Sequence, residues 1–155
     1  MRRLPIAVAA ASVLSIGAVA GALAFQATPE IAMESPTLVV IEHATTDTVV
    51  DLGAEGDSLG DTISFSNELF DEADANVVGH AQGTCTRVEI GVSWECTWTN
   101  VLPNGSLVVQ GPFLDAGDSM LAITGGTGEY AGASGQMRLH TLEGGDKHEF
   151  AFDVR

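Results

Sequence analysis

The chain has 155 residues, a formal net charge of −15 from 21 acidic and 6 basic side chains, and two cysteines. A field of that sign repels nucleic acid and anionic lipid headgroups, so neither is expected as a partner. The length and a 45% hydrophobic content suit one domain with a single modest core.

Met1-Arg2-Arg3 form a basic head, and residues 4–25 carry no charge, which is the pattern of a secretory signal. Ala22-Leu23-Ala24 present small residues at both cleavage subsites, so residues 1–24 are expected to be removed and the protein secreted, with no stable membrane insertion afterwards. Retention as an anchor is the alternative, since the apolar run is just long enough to span a bilayer. Loss of Arg2 and Arg3 takes the formal charge from −15 to −17. Residues 25–36 mix proline, small and acidic residues and read as a flexible lead-in to a domain over 37–155.

From residue 37 onward the signals are those of strands, with β-branched and apolar runs bounded by Gly, Pro, Asn or Asp. Eight runs are expected to be strands: 37–44, 62–70, 77–89, 92–101, 106–113, 119–125, 135–143 and 148–154. Pro103-Asn104-Gly105 is a strong turn between two of them. In the last run Phe150, Phe152 and Val154 fall on one side and Glu149, Ala151 and Asp153 on the other. Gly125-Gly126-Thr127-Gly128, followed by Gly132 and Gly135, supplies positions for positive φ or close backbone approach and reads as a tight connection between strands. A phosphate cradle would need a helix next, and a strand-like run follows instead. Eight antiparallel strands of this length close most economically into an all-β barrel, which removes exposed edges and can hold one small ligand.

Export to an oxidising space makes a Cys85–Cys96 pair the default, with a free thiol in a cavity as the alternative. In a hairpin centred on Ile90-Gly91, residues whose numbers sum to 181 face each other, so Cys85 meets Cys96 and Arg87 meets Trp94. Cys85, Arg87, Trp94, Cys96 and Trp98 then share one face, and Thr84, Thr86, Val88, Ser93, Glu95 and Thr97 the other.

Gly56-Asp57-Ser58-Leu59 matches the short signature of a serine hydrolase family, but the chain has no acid and histidine at the matching spacing near its end and no α/β pattern to carry them. The four histidines, His43, His80, His140 and His148, have no ligand spacing and read as surface or satisfied strand residues. Asp57, Asp61, Asp71, Glu72 and Asp74 do not follow a calcium-loop spacing. No metal and no cofactor are expected.

Leu59-Gly60-Asp61, the run from Phe65 through Asn67 to Asp71, Gly83-Thr84-Cys85, Val109-Gln110-Gly111-Pro112-Phe113, the run from Leu121 through Gly128 to Tyr130, and Gly135-Gln136 occur in the order and at the spacing of successive motifs in plant allene oxide cyclases. The chain resembles that family over nearly all of its mature length, and the dirigent proteins belong to the same barrel superfamily. The resemblance implies an eight-stranded antiparallel barrel with a hydrophobic cavity, a trimer as in plants, no cofactor, and a stereocontrolled cyclisation of an unstable fatty-acid allene oxide. It maps the catalytic carboxylate onto Glu42, a water-binding asparagine onto Asn67 and the cavity cysteine onto Cys85. The chain differs at Ala44, where the family has asparagine, and at Phe113, where it has tyrosine.

Two functional classes follow. One is a secreted cyclase or isomerase that folds a small hydrophobic, polyene- or oxylipin-like substrate. In it Glu42 stabilises charge, Asn67 orients substrate or water, Phe65, Trp94, Trp98 and Phe113 shape the pocket, and Arg87 receives a carboxylate from Glu42 or from a ligand. The other is a non-catalytic, dirigent-like barrel that binds a hydrophobic molecule while the chemistry is done elsewhere.

Overall fold

The computed structural model describes residues 35–142 and 144–155. The expected leader, its cleavage site and most of the lead-in lie outside the described residues. Among the described residues nine strands follow one another: β1 (Leu38–His43), β2 (Thr48–Val50), β3 (Thr62–Asp71), β4 (Val77–Glu89), β5 (Ser93–Leu102), β6 (Gly105–Leu114), β7 (Ser119–Gly128), β8 (Gly135–Thr141) and β9 (Lys147–Val154). All pairings are antiparallel, in the order β1-β9-β8-β7-β6-β5-β4-β3-β2, and β1 also pairs with β3. That contact closes a barrel of the eight long strands. The short β2 runs along the start of β3, beyond the reach of β1.

The eight expected strands are all present. β2 carried no readable signal, being three residues long and exposed on every one. The register of the cysteine hairpin matches expectation, with Cys85 opposite Cys96 and Arg87 opposite Trp94. Its inward face is buried at Cys85, Arg87, Trp94, Cys96 and Trp98, because successive side chains alternate across the sheet. The cysteines form a disulfide with Cα atoms 4.0 Å apart.

The glycine run departs from expectation. Gly125 to Gly128 do not turn the chain; they lie within β7, paired to β6 after a bulge at Val108/Val109. The physical reason is close approach. A Cβ on Gly126 would collide with the carbonyl oxygens of Ser106 and Tyr130, so β6 and the turn over residues 129–134 can pack there only against a bare backbone. Positive φ is needed only at Gly128 in this run, at 62°.

Leu69, Leu107, Met137 and Phe152, all fully buried, fill one half of the barrel. In the other half, where β1, β4, β6 and β8 finish, aromatic side chains leave a cavity. Among the described residues no helix is long and apolar enough to cross a membrane.

The disulfide cross-links the β4–β5 hairpin over a separation of 11 residues. Chain-entropy reasoning predicts that the Cys85→Ser/Cys96→Ser variant loses on the order of 2–3 kcal/mol of unfolding free energy. Denaturant titration of the oxidised parent and the double variant measures this.

Candidate functional site

Barrel closure determines what surrounds Glu42. On β1 it stands directly opposite His148 of β9 on one side and Leu69 of β3 on the other. All three side chains are buried, with Glu42 5% exposed. Asn67, two residues before Leu69 and so on the same inward face, is 1% exposed. Its amide nitrogen donates to Glu42 Oε1 at 3.2 Å and to Asp47 Oδ1 at 2.7 Å. Its carbonyl oxygen accepts from the Thr45 and Thr46 backbone N–H groups and from the Thr46 hydroxyl, at 2.8 to 3.1 Å. The side chain has two N–H donors and one acceptor oxygen, and all are engaged. Asn67 thus works as a clamp that folds the β1–β2 loop inward and brings Asp47 beside Glu42.

Burial raises the pKa of Glu42 from 4.5 to about 7. Desolvation of the charged form is the largest cause; the Asn67 hydrogen bond opposes it, and the Asp47 carboxylate adds to it. Loss of hydration outweighs one donor because, among the described residues, no cation stands beside the carboxyl and Oε2 accepts no hydrogen bond. His148 shifts the other way. Burial pushes its pKa below 6.5 against the pull of Asp47 and Asp146, so the imidazole is neutral at pH 7. Its Nδ1 lies 3.1 Å from Thr141 Oγ1, and Nε2 has no partner among the described residues.

These groups open onto a cavity of about 40 Å³ walled by Phe65, Trp98, Phe113, Phe150 and the cystine, room for a few water molecules. Trp98 is fixed by its indole N–H donating to Asn100 Oδ1 at 3.2 Å, by an edge-to-face contact with Phe65 and by a tilted contact with Phe150. Phe113 and His148 meet edge to face at 5.8 Å. Beyond that pair lies a cleft of about 580 Å³ bordered by Asp115, Asp118, His140 and Thr141. Two rings therefore separate an inner, largely apolar pocket from a wide outer cleft.

The fold brings together Glu42, Asn67, Phe65, Trp98, Phe113 and the cystine around one cavity. It does not bring Arg87 or Trp94 to the cavity. Arg87 grips Asp115 through Nη1 at 2.7 and 2.8 Å and stacks 4.0 Å over Trp94. Its Nε forms an ion pair with Asp57 at 2.7 Å, off the donor axis of a hydrogen bond. Arg87 neither compensates Glu42 nor faces the pocket. The Gly56-Asp57-Ser58-Leu59 run is a structural loop, since Ser58 donates to the Leu52 carbonyl and Asp57 accepts the Gly91 N–H.

His148 and Asp47 are the site residues that the sequence did not disclose. Read as a surface or satisfied strand position, His148 is instead buried in the pocket wall. The alternation through Phe150 and Phe152, extended two residues back, contains this signal. Asp47 sits in a loop, and only the Asn67 clamp places it. Among the described residues no group of three or more His, Cys, Asp or Glu side chains is placed to hold a metal.

In the folded barrel Glu42 holds its proton up to about pH 7, and in the unfolded chain only up to 4.5. The folded state binds more protons between these values, so this group's contribution to stability falls as pH rises through that window. His148, with its lowered pKa, contributes in the opposite sense. Comparison with Glu42→Gln isolates the first effect. Relative to the parent, the variant is expected to gain on the order of 3 kcal/mol of unfolding free energy between about pH 4 and pH 8, measured by denaturant titration.

Residues 24–154 match the family model described as allene oxide cyclase. Among solved structures, a pyocyanin demethylase aligns at 25% identity with a TM-score of 0.66, covering 76% of this chain and 98% of that one. An exo-specific intermolecular Diels–Alderase aligns at 16% identity and a TM-score of 0.61, covering 76% and 95%. A pterocarpan synthase dirigent protein aligns at 17% identity and 0.59, covering 75% and 89%; these last two likenesses concern the fold. With the family model matched over the whole barrel, the chain belongs to the allene oxide cyclase family.

Proposed function

We propose that this protein is an extracellular barrel enzyme of the cyclase or isomerase type, acting on a small hydrophobic molecule bound between Trp98, Phe113 and Phe150. One observation carries the reading: a carboxyl group with a pKa near 7, buried in an apolar pocket, opposite a neutral histidine. A group poised there gives or takes a proton at neutral pH, and as a carboxylate it faces positive charge that develops in a cyclising chain. Asn67 is a positioning residue in this scheme, because its hydrogen bonds hold Glu42 and Asp47 and leave none for substrate. Family membership supports the reaction class, and the disulfide suits an oxidising compartment.

A dirigent-like role has its own support in the small volume of the inner cavity, about 40 Å³. A barrel that only orients a reactive guest in its outer cleft needs no proton-transfer group. The two readings part at Glu42.

Freshly generated fatty-acid allene oxide, offered as free acid and as methyl ester, is the test substrate. Under the enzyme reading at least one form gives a cyclopentenone with clear enantiomeric excess, and Glu42→Gln lowers the rate at least about a hundredfold. Racemic product from both forms, unchanged from the spontaneous reaction, contradicts it.

A further inference from the structure

The charges around the cavity define what it can hold. Its open polar groups are Glu42, Asp47 and His148, none of them a fixed cation. The nearby cations are committed elsewhere: Arg87 to Asp57 and Asp115, Arg138 to Glu149 and Asp118, Lys147 to Asp74. The outer cleft presents Asp115 and Asp118, and the whole chain carries −15. A carboxylate entering along this path loses hydration, meets acidic groups and finds no counter-charge inside. The pocket wall is largely aromatic, from Phe65, Trp98, Phe113 and Phe150, and the Glu42 carboxyl, 5% exposed, has an oxygen without a partner among the described residues.

From this arrangement we propose that the cavity selects neutral, weakly basic aromatic molecules, nitrogen heterocycles in particular, and excludes carboxylates. The ring nitrogen meets the Glu42 carboxyl while the ring stacks among Trp98, Phe65 and Phe113. The Glu42 O–H donates a hydrogen bond to the nitrogen lone pair, and no covalent bond changes. The Glu42 carboxyl keeps the Asn67 N–H as the donor to its other oxygen, so no buried ion pair has to form. Such a ligand exceeds the 40 Å³ of the inner cavity, so Phe113 and His148 turn toward the 580 Å³ cleft to admit it.

The inference rests on the pocket reading above and narrows its ligand class. Isoquinoline, naphthalene and 2-naphthoate share one two-ring skeleton and differ in charge and basicity. Their binding to the full chain at pH 7 is read by quenching of tryptophan fluorescence and by calorimetry. Isoquinoline and naphthalene are expected to bind, and 2-naphthoate at least tenfold more weakly than either. The ratio of isoquinoline to naphthalene affinity is expected to fall at least tenfold in Glu42→Leu and by less in Glu42→Gln, which keeps a donor. Binding of 2-naphthoate as tight as that of naphthalene overturns the proposal and leaves the pocket reading standing, as does a ratio unchanged in both variants. Failure of all three probes to bind overturns both.

Discussion

Everything at the site depends on β1 being held between β9 and β3. That closure pairs both edges of β1 and turns the inward side chain of Glu42 toward the barrel axis, where water is scarce. A carboxyl at the same position on an edge strand would titrate in solvent. Here it faces His148 and Leu69 across two ladders, and its ionisation works against burial. The pKa near 7 is therefore a property of the topology as much as of the residue.

The Asn67 clamp adds a second layer. By accepting three hydrogen bonds from Thr45 and Thr46 and donating to both carboxyl groups, it ties loop conformation to the charge in the pocket. Its amide stabilises the Glu42 carboxylate, while the Asp47 carboxylate beside it disfavours ionisation. The cystine and Trp98 form the rigid wall facing this polar group. Where the resemblance to plant cyclases implied a cavity thiol, the barrel has two sulfurs locked across a hairpin, which removes a nucleophile and adds an apolar surface.

Much of this was legible in the sequence, because strand chemistry is local. Alternation placed Cys85, Arg87, Trp94, Cys96 and Trp98 on one face, and a hairpin sum placed Cys85 against Cys96; both depend only on the two-residue period of a strand. What depended on distant partners was hidden. Gly126 is glycine because Ser106 and Tyr130 crowd its α-carbon, and neither is adjacent in the chain. Arg87 shares the cystine's face, yet Asp57 and Asp115, 30 and 28 residues away, hold it out of the cavity. The local pattern of β1 does not say that His148 stands opposite Glu42, since the pairing spans almost the whole domain.

The central claim is that the buried Glu42 carboxyl retains its proton close to neutrality, and site-specific titration addresses it directly. With the protein labelled by 13C at glutamate side chains, and the Glu42 signal assigned by its absence in Glu42→Gln, the carboxyl shift is followed from about pH 3 to pH 9. The account predicts a midpoint at about 7 for Glu42. A midpoint near 4.5, the value of a solvated glutamate, would contradict it.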